Sequence, residues 1–143
     1  MMRLADIGVS IESGGLGAGV TALLHEIADG VERLAADGET GAIDLGSLPL
    51  SPLDRECLHR MLGTGEVEAT LKVDGLSEIH ETGIPGVWWI EHRDPRGELI
   101  AELIEIAQVP GILNAAAEDI GRGAALLRAR LAGDKQRTTE EAP

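Results

Sequence analysis

The sequence has 143 residues, of which 12 are Lys or Arg and 25 are Asp or Glu, so its formal net charge is −13. This length predicts a single small domain that can bury a core, and the acidic balance argues against nucleic acid and anionic membranes as partners. The single cysteine excludes an internal disulfide and any cysteine-rich metal or iron–sulfur site built from one chain.

Residues 1–17 are rich in Gly and Ser and only weakly periodic, and we interpret them as a flexible leader. They lack the basic and apolar regions of a signal peptide. The chain also has no apolar run near 18 residues, which a transmembrane helix would need. These features predict a cytoplasmic protein that does not cross a membrane.

A single domain is predicted over residues 18–132, and it begins with an amphipathic helix that ends near Asp37-Gly38. The apolar stripe of this helix contains Val20, Leu23, Leu24, Ile27, Val31 and Leu34. A short strand is predicted at Ala42–Leu45. Ser51 as N-cap and Pro52 at the first helical position then predict a second helix, which runs to Leu62 and stops at Gly63.

Four consecutive strands are predicted next, over Glu66–Val73, Ser77–Thr82, Val87–His92 and Leu99–Val109. Because the turns between them are short, they should form an antiparallel β-meander of about four strands. With flanking α-helices this gives an α+β fold.

A last helix is predicted after Pro110-Gly111, with interruptions at Gly121 and Gly123. The polar residues 133–143 predict a disordered tail.

Both tryptophans are adjacent, in a sequence without Phe or Tyr. Neighbouring residues of a strand point to opposite faces, so Trp88 and Trp89 cannot enter one core. With a four-residue turn, Trp88 would lie opposite Leu103 on the core face. We therefore expect Trp88 to be buried and Trp89 to be more exposed.

The Trp89 face mixes apolar residues with carboxylates, which is typical of an interaction surface. The substitution Trp89→Ala is therefore expected to weaken partner binding, whereas Trp88→Ala is expected to lower the stability of the fold. The predicted partner-binding residues are Val87, Trp89, Ile100 and Ile104 at the centre, Glu91 and Glu102 beside them, and Ile84 and Pro85 at the edge.

No catalytic, cofactor-binding or metal-binding residue is predicted. His25 and Asp29 are spaced as a helical pair on a solvated face, and His59 is predicted at the surface. Cys57 shares the apolar stripe of its helix and is predicted to be a small buried hydrophobe.

Three sequence motifs occur in an order and at a spacing that are similar to those of a known protein family. They are IDL-x-SLPLSP before a helix, LG-x-GEVEA before a strand, and T-x-x-PGVWW leading into ELIE-x-x-x-VP. From about Leu23 to Leu113 the chain resembles the C-terminal domain of the HupH/HyaF family of nickel–iron hydrogenase expression/formation proteins. Family members commonly carry a further N-terminal domain, and the match here begins near the start of the chain.

The resemblance implies a non-catalytic, chaperone-like accessory protein of hydrogenase maturation. Its partner would be the hydrogenase small-subunit precursor or another maturation factor, bound before export. Two alternatives stay open on the residues alone. One is a metal carrier or enzyme that uses His80, His92 and nearby carboxylates. The other is a homodimeric structural module joined through the Trp89 face.

Overall fold

The computed structural model describes residues 17–141, which divide into two compact units between Pro110 and Gly111. The predicted leader, residues 1–17, lies outside the described residues except for Gly17. The elements of the first unit are α1 (Ala18–Asp37), β1 (Gly41–Asp44), a 3-10 turn (Leu45–Ser47), α2 (Pro52–Leu62), β2 (Glu68–Leu71), β3 (Leu76–Glu81), β4 (Val87–Arg93) and β5 (Leu99–Ile106). Those of the second unit are a 3-10 turn (Gly111–Leu113) and α3 (Ala117–Glu141).

Both helices of the first unit begin and end where the sequence predicts. At α2, the Ser51 Oγ accepts from the Asp54 N–H at 3.1 Å, and the Asp54 carboxylate accepts from the Ser51 N–H at 3.0 Å. This reciprocal capping box satisfies two N–H groups that the first turn of a helix leaves free. Gly38 ends α1 in the left-handed region, with φ 79°, a conformation that Gly adopts without steric cost.

The five strands form one antiparallel sheet in the order β1-β5-β4-β3-β2. The predicted α+β class and the four-strand meander are confirmed. The short predicted strand near residue 42 becomes a fifth strand of the same sheet, because β1 pairs with the free side of β5.

The register of the β4–β5 hairpin differs by two residues from the predicted one. Trp88 lies opposite Glu105, where the prediction placed Leu103. The pair next to the turn, Arg93 with Leu99, encloses five residues instead of the predicted four, which shifts the register by one residue. Ile100 has no partner on β4, and this irregularity shifts the register by one more residue. Because side chains alternate with a period of two, a shift of two keeps the residues from Ala101 to Ile106 on their predicted faces. Beyond the irregularity, Leu99 pairs with Arg93 on the Trp89 face, where the prediction had placed it opposite His92 on the Trp88 face.

The helices cover the Trp89 face of the sheet, so the prediction that Trp89 is the more exposed tryptophan is wrong. Its exposed fraction is 3%, and that of Trp88 is 6%. Both faces of the sheet are apolar enough to be buried, and the strand pattern alone does not tell which of them the helices cover. The core on this face consists of Leu23, Ile27, Leu45, Leu58, Leu62, Val87, Trp89, Ile104 and Ile106.

In the second unit, α3 runs without interruption through Gly121 and Gly123, where the sequence predicted breaks. It also includes residues 133–141, which were predicted to belong to a disordered tail. A helical Gly costs only about 1 kcal/mol relative to Ala, and the Asp134–Arg137 contact at 3.1 Å supports the later turns. The side chains of α3 are exposed from Ala117 to Arg137.

Candidate functional site

The structure separates the predicted binding residues into a buried and an accessible group. Val87, Trp89 and Ile104 lie beneath α1 and α2 in the core, and Glu102 is also buried. None of these four can meet a partner while the helices keep their positions. The physical reason is that the core helices pack on the face that the sequence analysis assigned to a partner.

The accessible group lies at two ends of the fold. Ile100 is exposed at the irregular position of β5, far along the hairpin from the turn that holds Ile84 and Pro85. Glu91 is half-buried and contacts Arg93 Nη2 at 3.2 Å. Partner binding by Ile84, Pro85, Glu91 and Ile100 stays a prediction, although these residues do not form one continuous surface.

Three carboxylates lie side by side on the helix-covered face, because Glu78 pairs with Glu91 across β3–β4 and Glu91 with Glu102 across β4–β5. Like charges directly opposite one another destabilise a sheet. Two arginines offset this repulsion. Arg93 contacts both Glu78 and Glu91, and Arg55 of α2 pairs with Glu102.

The buried Glu102 carboxylate also orients Trp89, whose indole Nε1–H donates to Glu102 Oε2 at 2.8 Å. On its other side the indole stacks on the His59 ring, with centroids 3.6 Å apart and an angle of 14° between the planes. His59 is at the surface, as predicted, but the sequence gave no sign that its ring covers a tryptophan. Arg55 was missed because its position on α2 resembles an ordinary solvated one.

A cavity of about 200 Å³ opens beside this stack, between the end of α2 and strands β3 and β4. Its titratable groups already hold other contacts: His80 Nδ1 lies 3.7 Å from Glu68 Oε1, and Glu81 Oε1 accepts from the backbone N–H groups of Glu66 and Val67. The His80 and Glu81 side chains that line the cavity therefore hold local structure, which leaves few free groups for chemistry.

The two histidines of the metal alternative lie on opposite faces of the sheet. His80 pairs with Trp89, whereas His92 pairs with Ser77 on the Trp88 face and its Nδ1 lies 2.7 Å from the Ser77 Oγ. One ion cannot bind both rings in this arrangement. Within residues 17–141, no group of three or more His, Cys, Asp or Glu side chains is placed to hold a metal ion.

Cys57 is buried with an exposed fraction of 6%, as its apolar position predicted. Its Sγ lies 3.4 Å from Arg60 Nη2.

Two apolar depressions of the first unit follow α1, and we name them together the α1 groove. One part, of about 310 Å³, lies between α1 and the end of α2, and the other, of about 430 Å³, lies beside the Thr82–Gly86 turn. Val31 lines both parts. Its other apolar lining residues include Leu24, Ala28, Ala35, Met61 and Ile84.

The turn beside the groove is held firmly. Thr82 is buried, and its Oγ1 donates to the Val87 carbonyl at 2.8 Å and accepts from the Ile84 N–H at 3.1 Å. Gly83 donates its N–H to the Leu62 carbonyl at 2.9 Å, which fixes the turn to the end of α2. These contacts present the Ile84 side chain on a rigid support at the rim of the groove.

Residues 18–133 match the family described as HupH hydrogenase expression protein, C-terminal conserved region. The chain is 34% identical over 108 residues to the hydrogenase expression/formation protein HoxQ of Azotobacter vinelandii, which covers 74% of this chain and 38% of that protein. It is 33% identical over 98 residues to the hydrogenase-1 operon protein HyaF of Escherichia coli K12, covering 68% of this chain and 34% of that protein. The chain thus spans little more than a third of these relatives.

Among solved structures, the fold is similar to that of the hydrogenase expression protein HupH from Thiobacillus denitrificans. The TM-score is 0.77 at 41% identity, and the match covers 82% of this chain and 98% of that one. None of the helices within the described residues combines the length and apolar character that spanning a bilayer requires.

Proposed function

This chain belongs to the HupH family through its C-terminal conserved region, and on that premise we propose that it is a non-catalytic accessory protein of nickel–iron hydrogenase maturation. It acts in the cytoplasm, where it binds the precursor of the hydrogenase small subunit or another maturation factor. Its role is to hold that partner until assembly is complete.

The α1 groove is the observation that carries the proposal. It is concave and mostly apolar, and its rim includes exposed apolar side chains such as Met61 and Ile84, whose exposed fractions are 51% and 38%. Apolar pockets with a few polar groups at the rim are the usual form of a binding site. The groove would accept an amphipathic segment of the partner in the helix-in-groove mode.

The charges near the groove define the segment that fits. The charged residues that line the groove are Glu32 and Glu81. Among the described residues, no Lys or Arg lines either part, so the charge of the groove is acidic. A partner segment with apolar residues on one side and basic residues beside them would match both features, because opposite charges across an interface favour encounter and orientation.

The test is capture of the small-subunit precursor by the tagged chain in cells that make the hydrogenase. The variant Ile84→Glu places a charge on the rim without touching the hydrogen bonds of the turn. We expect it to reduce capture by about tenfold or more, because a charge introduced next to the apolar contacts would have to be desolvated without a partner. Hydrogenase activity in the same cells should fall in parallel.

The matched control is Leu53→Glu. Leu53 is an exposed apolar residue of α2, with an exposed fraction of 66%, and it does not line the groove. This variant should capture the precursor normally. Equal loss in both variants would show that the groove is not the binding site, and failure of the unsubstituted chain to retain any maturation protein would contradict the proposed function itself.

A further inference from the structure

An exposed apolar seam runs along α3. It consists of Ile120, Ala124, Leu127 and Leu131, whose spacing of four, three and four residues places them on one side of the helix. All four are exposed, and the exposed fractions of Leu127 and Leu131 are both 58%. An amphipathic helix usually owes its stability to packing of its apolar side, so this seam needs a covering surface.

Charges beside the seam restrict what can cover it. At 100° per residue, Arg128 and Arg130 flank the seam on its two sides, and neither has an ion-pair partner within the described residues. From Gly121 to Gly133 the sequence has three arginines and no acidic residue. Two α3 helices packed seam to seam would bring these arginines together, and like charges at such positions oppose pairing. The covering surface should instead be acidic.

The α1 groove of a second copy has the matching properties. From Leu24 to Ala35 it follows α1 over twelve residues, whose eleven steps span about 17 Å at the rise of an α-helix. The seam from Ile120 to Leu131 has the same length. Its lining supplies apolar contacts, and its charged lining residues, Glu32 and Glu81, are acidic, opposite in sign to the arginines of α3.

We propose that two copies of this chain form a dimer in which α3 of each copy lies in the α1 groove of the other. Reciprocal exchange closes the assembly with two-fold symmetry and leaves no seam uncovered. The inference goes beyond the proposed function because the occupant is the chain itself. A maturation partner would reach the groove only after the helix of the second copy leaves it.

Sedimentation velocity over a range of concentrations tests the proposal with the full chain. Leu127→Glu places a charge in the seam and should raise the dissociation constant of the dimer about 30-fold or more. Leu126→Glu is the matched control, because Leu126 is similarly exposed but lies away from the seam. It should leave the dissociation constant unchanged. Circular dichroism of both variants checks that α3 stays helical.

A charge exchange tests whether the seam meets the groove. Arg128→Glu and Glu32→Arg should each weaken the dimer, and the double variant should recover at least part of the loss. Ile84→Glu, on the rim of the groove, should weaken it as well. Added salt should weaken the unsubstituted dimer, because exposed charges are screened.

Three outcomes would overturn the proposal. The first is a monomer at every concentration, and the second is a dimer that Leu127→Glu leaves intact. The third is a dimer that responds to Leu127→Glu but not to the groove variants, since this would mean that α3 pairs with α3. A monomeric chain could still capture the precursor through the groove, so the two proposals fail separately.

Discussion

The adjacent tryptophans provide a matched test of what the buried Glu102 carboxylate contributes to stability. Trp89 Nε1–H donates to Glu102 at 2.8 Å, and Trp88 Nε1–H donates to the Ala107 carbonyl at 3.0 Å. Both indoles are almost fully buried. Replacing either by Phe therefore removes the same atoms and one N–H donor. The two sites differ in the charge of the acceptor left behind and in the His59 ring, which stacks on Trp89.

The magnitudes follow from that difference. The smaller ring should cost about 1–2 kcal/mol at each site, a fraction of the 3–5 kcal/mol typical of Trp→Ala in a core. A hydrogen bond to a neutral carbonyl contributes about 0.5–1.5 kcal/mol, and one to a charged group about 1.5–3 kcal/mol. We expect Trp89→Phe to lower the free energy of unfolding by about 1 kcal/mol more than Trp88→Phe.

Urea denaturation followed by far-ultraviolet circular dichroism measures both losses, because tryptophan fluorescence would itself change with the substitutions. A change of midpoint at constant slope reports stability. In a Glu102→Gln background, where the acceptor is neutral, the difference between the two substitutions should shrink to less than about 0.5 kcal/mol. Equal losses in the original background, or a larger loss for Trp88→Phe, would refute the reasoning that the carboxylate is the stronger acceptor.

Two further predictions concern the helices of the first unit. Gly30→Ala should destabilise the protein by up to about 2 kcal/mol, because a Cβ there would lie 2.6 Å from Ile106 Cδ1 and the overpacking exceeds the gain in helix propensity. Its control on the same helix, Gly19→Ala, meets nothing within 4 Å and should stabilise by up to about 1 kcal/mol; denaturation midpoints that move in the same direction would contradict this. Ser51→Ala should cost about 1 kcal/mol by removing the cap of α2, and a Ser51→Thr variant that is no more stable than the alanine variant would argue against the capping role.

The local structure was predictable because its signals lie in neighbouring residues. Ser51-Pro52 marks the start of α2, and the glycines at 38 and 63 mark helix ends, since each acts within one turn of backbone. The alternation of β4 and β5 likewise assigned the residues from Ala101 to Ile106, with their partners on β4, to the correct face, although not Leu99 beyond the irregularity. The two-residue error in register did not disturb that assignment, because the loop and the irregularity at Ile100 each added one residue.

The long-range arrangement was not predictable from the same patterns. A strand with Trp on each face does not reveal which face the helices cover, and the choice depends on the paths of α1 and α2 over the sheet. Arg55 pairs with a carboxylate 47 positions away, and no local pattern marks such a contact. The α1 groove was missed for a similar reason. Val31 belongs to the apolar stripe of α1, and the residues across the groove from it come from the end of α2 and from a turn, which are distant in sequence.

The short outer strands of the sheet have a consequence for how this protein can recognise other chains. In the described part of the chain, the two borders of the sheet are β1 and β2, and each has four residues. An extended peptide gains affinity from a sheet border through main-chain hydrogen bonds, and a short border provides few of them. Backbone-driven capture of unfolded segments is therefore a poor fit. Selectivity must come from the shape and charge of side-chain surfaces, which favours a partner segment that is already folded when it arrives.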